Sequence, residues 1–104
     1  MATINIEATP SEGLREFRFQ LDDHNYNVPM NPKENSDPQE YEGADDANGV
    51  CGDGSEHRLY YTLVGTVGAT LRLKISCEGA LRLDIPLEIY GPAAVVNSNV
   101  RFSL

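Results

Sequence analysis

From Leu71 to Ile89 the chain alternates apolar and polar side chains with one break. Leu71, Leu73, Ile75 and Cys77 share one parity, Glu78-Gly79 interrupts, and Leu81, Leu83, Ile85, Leu87 and Ile89 resume the alternation. A period of two sends successive side chains to opposite faces of an extended strand, so the stretch predicts an antiparallel hairpin with one greasy face and a tight turn. Pro86 falls on the outward parity and has no N–H to give to a ladder. It therefore places the second strand of the hairpin at a sheet edge or a bulge. Gly91-Pro92 ends that strand.

The same period recurs elsewhere. Ile4, Ile6 and Ala8 alternate with Thr3, Asn5 and Glu7, and Phe17, Phe19 and Leu21 alternate with Glu16, Arg18 and Gln20. Leu59, Tyr61 and Leu63 open a further strand that turns at Gly65-Thr66-Val67-Gly68. Over 94–104, Val96, Val100, Phe102 and Leu104 share a side that Ser98 interrupts. Six strands and no helical periodicity predict an all-β fold, a single-domain antiparallel β-sandwich spanning residues 1–104. Jelly-roll, Greek-key and immunoglobulin-like strand orders all remain compatible with the pattern.

Residues 22–57 break the alternation. Here Asp22, Asp23, Glu34, Asp37, Glu40, Glu42, Asp45, Asp46, Asp53 and Glu56 face Lys33 alone, among three prolines (Pro29, Pro32, Pro38) and four glycines (Gly43, Gly49, Gly52, Gly54). The expectation is a long, solvated, acidic loop inserted in the β-domain, with Val28 to Met30 or Tyr41 able to anchor a short edge strand. The net charge of −8 over 104 residues opposes binding to nucleic-acid phosphates and anionic lipid head groups. No apolar run approaches the ~20 residues of a membrane helix, so no membrane insertion is expected. Met1-Ala2-Thr3-Ile4-Asn5 lacks the basic start and apolar stretch of a leader. A soluble protein is expected, either cytoplasmic or secreted after removal of a leader.

Hard oxygen donors on a pliable backbone suit Ca²⁺, and Asp45, Asp46, Asn48, Asp53 and Glu56 make a candidate calcium set. The spacing is not that of an EF-hand. With Gly49 at the invariant glycine, Ala44 and Ser55 take the positions that need carboxylates. Cys51 and Cys77 can form a disulfide that staples the acidic segment to the core, which would imply an oxidising compartment. The alternative is a buried apolar Cys77 beside an unrelated thiol. His24, His57 and the two cysteines lack the paired spacing of a zinc site, and with Met30 added they lack the close cluster of a blue-copper site.

Ser55, His57 and Asp53, or Cys51 with His57, lie close along the chain. A nucleophilic relay is defined by three-dimensional aim, however, and turn formation explains Ser, Asp and His in a glycine-rich stretch. Neither Asp22/Asp23 nor Asp45/Asp46 sits beside an apolar run that would separate a general acid from a general base. The glycines of residues 49–54 lack the lysine and helix of a phosphate loop.

No reaction is therefore expected, and no cofactor beyond the calcium alternative. The sequence points to a non-catalytic binding module that uses Tyr41, Asp45, Asp46, Asn48, Asp53 and Glu56 to engage a protein partner with a basic patch. Two other readings compete with it. One is a calcium-dependent module that binds carbohydrate through tyrosine faces, and the other is a self-assembling, homo-oligomeric subunit.

Overall fold

Extended segments with one apolar face each have to cover one another, and here they do so as two sheets. In the structure, a computed structural model that describes residues 1–91 and 94–104, eight strands follow in order. They are β1 (Ala2–Pro10), β2 (Leu14–Leu21), β3 (Asn31–Pro32), β4 (Tyr41–Ala47), β5 (Glu56–Gly65), β6 (Thr70–Cys77), β7 (Ala80–Glu88) and β8 (Val95–Ser103). One antiparallel sheet has the order β3-β4-β1-β6-β7 and the other β2-β5-β8. The chain changes sheet after β1, β2, β4, β5 and β7, and no helix occurs among the described residues. This is the expected all-β sandwich.

The inner faces follow the period of two. Ile4, Ile6 and Ala8 of β1 and Leu71, Leu73, Ile75 and Cys77 of β6 are buried with Phe19, Leu21, Leu59, Leu63, Val96 and Phe102 from the other sheet in one cluster. Truncating any of the fully enclosed leucines or isoleucines to alanine should cost about 2–5 kcal/mol, because the cavity left behind adds to the lost transfer energy.

The β6–β7 hairpin forms at Glu78-Gly79, where both residues have positive φ, 51° and 80°. One expectation for it fails. Leu81 is not on the inner face: it lies opposite Ser76, the register shifts between Ile75 and Ser76, and Leu81 is 57% exposed. Leu83 pairs with Ile75, so Arg82 is the extra residue on β7, and a bulge of one residue sends Leu81 to the solvent side. β7 is an edge strand, one of the two placements that Pro86 allowed. Pro92, expected to stop it, lies outside the described residues.

The larger correction concerns residues 22–57, which are not one long solvated loop. Tyr41–Ala47 is β4, paired with β1 from Ala2↔Ala47 to Ala8↔Tyr41, and Asn31–Pro32 adds the short edge β3. Partners in an antiparallel ladder share a face, so Tyr41, Gly43, Asp45 and Ala47 point the same way as Ala8, Ile6, Ile4 and Ala2. That face of β4 is covered by the segment between β2 and β3 as it crosses over it. Val28 is buried, and its N–H bonds the Phe19 carbonyl at 2.8 Å. The Pro29 carbonyl and the Met30 sulfur come so close to Gly43 that a Cβ there would collide with both.

Small or polar residues on the inner face of β4 are thus a steric requirement of this cover, and they hid the strand from its hydrophobic pattern. Gly43→Ala should destabilise the protein by about 1–3 kcal/mol through overpacking, read as a lower midpoint in urea unfolding. Unchanged stability would mean that the crossing segment does not rest on β4.

Candidate functional site

The acidic segment is fastened by two histidine–carboxylate contacts of opposite sense. The segment after β2 supplies Asp22 to His57 of β5, Oδ2 to Nδ1 at 2.8 Å, and supplies His24 to Asp45 of β4, Nδ1 to Oδ2 at 3.0 Å. The Tyr26 hydroxyl donates to Asp45 Oδ1 at 2.9 Å, and its ring stacks on His24 with centroids 5.1 Å apart. That hydrogen bond to the carboxylate raises the Tyr26 phenol above its ordinary range. Asp45 is therefore only 9% exposed at its side chain and serves the fold.

The remaining candidate residues do not converge. Tyr41 packs edge-on against Phe17, centroids 5.2 Å apart, where the two sheets meet. Asp46 points to the opposite face from Asp45, as strand alternation demands, and accepts a hydrogen bond from Thr3 Oγ1 at 2.8 Å. Asn48 is exposed, and Glu56, exposed on β5, lies 3.8 Å from Arg101. Asp53 is turned back on its own loop: it accepts from Val50 N–H at 2.9 Å, Ser55 N–H at 2.8 Å and Ser55 Oγ–H at 2.6 Å. These bonds stabilise the ionised carboxylate and hold it at about 2 against the ordinary 3.8. Among the described residues, no group of three or more His, Cys, Asp or Glu side chains is arranged to hold a metal ion.

Cys51 and Cys77 are joined in a disulfide, with Cα atoms 6.0 Å apart. It ties the turn at residues 50–54 to the end of β6. The span of 26 residues corresponds to about 3 kcal/mol of chain restriction.

Beside this staple, Asp22, His57 and Ser55 stand in the order of a carboxylate–imidazole–hydroxyl relay, with Ser55 Oγ 3.1 Å from His57 Nε2. Proximity along the chain had suggested Ser55, His57 and Asp53; the third member, Asp22, is 35 residues away and could not be found that way. Three features make the relay a clasp. The hydroxyl proton is directed at Asp53. The Gly49 backbone covers the pair so closely that a Cβ there would lie 2.6 Å from Ser55 Oγ and 3.2 Å from His57 Nε2. Three hollows on the surface of the described residues are lined by other side chains. His57, 6% exposed and stacked on Phe102, holds the Cys51 turn against the sandwich.

The outward sheet faces differ in charge. Across β3, β4 and β1 run Asn31, Glu42 and Glu7, with Glu42 directly opposite Glu7. Lys33 Nζ approaches Glu7 at 3.6 Å and Glu40 at 3.8 Å. Across β2, β5 and β8 two adjacent outward rows, Arg18–Thr62–Asn97 and Gln20–Tyr60–Asn99, carry no carboxylate. These rows line a groove of about 430 Å³. Apart from Tyr60, one of the tyrosine faces that suit carbohydrate, sequence reasoning had treated them as the solvent side of strands; the available sign was the presence of Asn97 and Asn99 on one face of a strand that disfavours asparagine. Comparison with protein-family models, with curated proteins and with solved structures finds no match to this chain.

The depressed Asp53 fixes a pH dependence. Its folded value of about 2 lies below the ordinary 3.8, so its stabilising contribution is full above the ordinary value and disappears as pH falls through the folded one. Wild type should be more stable than Asp53→Asn at neutral pH, and the difference should close between pH 3.8 and about 2 in denaturant unfolding at stepped pH. A difference that stays constant across this window would contradict the assigned hydrogen bonds.

Proposed function

We propose that this protein is a non-catalytic binding module that engages a protein partner carrying a cationic patch, through the acidic edge formed by β3, β4 and the outward face of β1. The reading is carried by the Glu42–Glu7 pair. Like charges directly opposite one another in an antiparallel ladder are destabilising, by about 0.2–1 kcal/mol; Lys33 and, across on β6, Lys74 face Glu7, whereas Glu42 has no ion pair among the described residues. Asp46 adds an exposed carboxylate on the same face of β4, and Glu34 and Asp37 are exposed in the connection between β3 and β4. A concentration of one sign on a firm sheet edge speeds encounter with an oppositely charged surface and disfavours partners of like charge.

In this reading the residues divide by role. Glu42, Asp46 and Asn48 remain available to a partner, while Asp45, Asp53 and Tyr41 hold the edge in shape. Folding the segment into a strand supports the proposal, because a partner meets carboxylates already positioned and less ordering entropy has to be lost on association.

Glu42→Gln should raise stability by about 0.2–1 kcal/mol while weakening association, a trade that a merely solvated surface does not show. Affinity capture should be run with wild type and with Glu34→Gln/Glu42→Gln/Asp46→Asn, at low and high ionic strength. Partners held by wild type at low salt should be lost from the variant and released by salt. Identical capture by both proteins would remove the basis of the proposal.

A further inference from the structure

We infer that the groove on the outward face of β2, β5 and β8 is a binding site for a saccharide, separate from the acidic edge. Its floor is set by the ladder. Register places Arg18, Thr62 and Asn97 in one row across the sheet and Gln20, Tyr60 and Asn99 in the next. Asn27, on the segment after β2, lines the groove as well, and the volume of about 430 Å³ lies in the range of small-ligand sites.

Each feature of the lining matches a polyhydroxylated ligand. A sugar hydroxyl both donates and accepts, and a side-chain amide offers both functions from one planar group. Gln20, Asn27, Asn97 and Asn99 supply four such groups within one hollow. Thr62 Oγ1 donates to Asn97 Oδ1 at 2.6 Å, which fixes the amide so that its Nδ2 hydrogens remain free to donate. Tyr60 is 40% exposed, and its ring has no aromatic partner among the described residues. It offers a flat apolar platform, with a hydroxyl at its tip, for the C–H face of a pyranose.

The lining contains no carboxylate although the chain carries a net charge of −8, so it neither attracts a metal ion nor repels a neutral ligand. Its one cation, Arg18, lies 3.7 Å from Glu16 outside the groove.

The cross-strand bond from Thr62 accounts for a polar side chain at Asn97, but sheet stability does not account for a pair of asparagines. Asparagine is depleted from strands, where β-branched side chains pack better on a pleated surface, yet β8 carries Asn97 and Asn99 on the same outward face. Replacing both by threonine should improve the strand and abolish the site. A residue kept only for the fold would not dissociate the two effects.

The test is titration of the intact, disulfide-bonded protein with cellohexaose, xylohexaose, mannohexaose and chitohexaose in turn. Tyrosine emission is one readout, clear because the chain has no tryptophan, and side-chain amide resonances are the other. At least one saccharide should shift the amides of Gln20, Asn97 and Asn99 with a millimolar or tighter Kd. Tyr60→Ala should weaken that binding about tenfold or more. Asn97→Thr/Asn99→Thr should lose binding while unfolding at a higher denaturant concentration, and Tyr90→Ala, an exposed tyrosine outside the groove lining, should bind as wild type does. The inference is overturned if none of the four saccharides perturbs these amides, if the perturbation maps away from β2, β5 and β8, if the folded Asn97→Thr/Asn99→Thr variant binds normally, or if only an oligothymidylate competitor occupies the groove.

Discussion

The pairing of β4 with β1 is the contact on which the remaining arrangement depends. β1 has β6 on its other side, so both of its edges are satisfied only when β4 joins the sheet. An unpaired edge on a strand as apolar as β1 would be a template for association between chains. Apart from Tyr41, which packs on Phe17, β4 buries no large side chain, since the rest of its inner face is Gly43, Asp45 and Ala47. It is held by backbone hydrogen bonds, by the segment after β2 that lies on it, and by the His24–Asp45 contact. The acidity that looked like a sign of solvation is therefore partly structural, with Asp22, Asp45 and Asp53 engaged in hydrogen bonds within the fold.

Where one apolar face meets another, the pattern was readable directly. β1, β2, β5 and β6 all bury the parity that their alternation indicates, because a one-residue slip would expose the whole set. β7 departs where the extra Arg82 shifts Leu81 outward, and no alternation count reveals an inserted residue. β4 was missed because its cover is a crossing loop, which selects small and polar residues where a facing sheet would select leucine or valine. The same reason limited the site. Asp45 and Asp46 are neighbours in sequence and belong to opposite faces in space, so a ligand set assembled from proximity along the chain dissolves once the segment is extended.

His57 illustrates the converse. Asp22, His57 and Ser55 adopt the order of a hydrolytic relay, yet the surroundings decide what the order means. A serine whose proton is directed at a second carboxylate, beneath a glycine backbone, joins loops together. The disulfide between Cys51 and Cys77 fastens the same turn covalently, and the two devices hold residues 48–57 against β6 and β8. What remains outward is divided between an acidic edge on β3, β4 and β1 and, on the three-stranded face, a groove lined by amides and without a carboxylate.

Hydrogen exchange of the backbone amides in Tyr41–Ala47 is the most direct measurement of whether the acidic segment is a strand of the sandwich. Amides of β4 that bond to β1 should be protected at a level approaching those that join β1 to β6, and the protection should fall when His24→Ala removes the contact to Asp45. Exchange of the whole segment at the rate of an unstructured peptide, with β1 and β6 still protected, would contradict the account, because the acidic segment would then be a solvated loop.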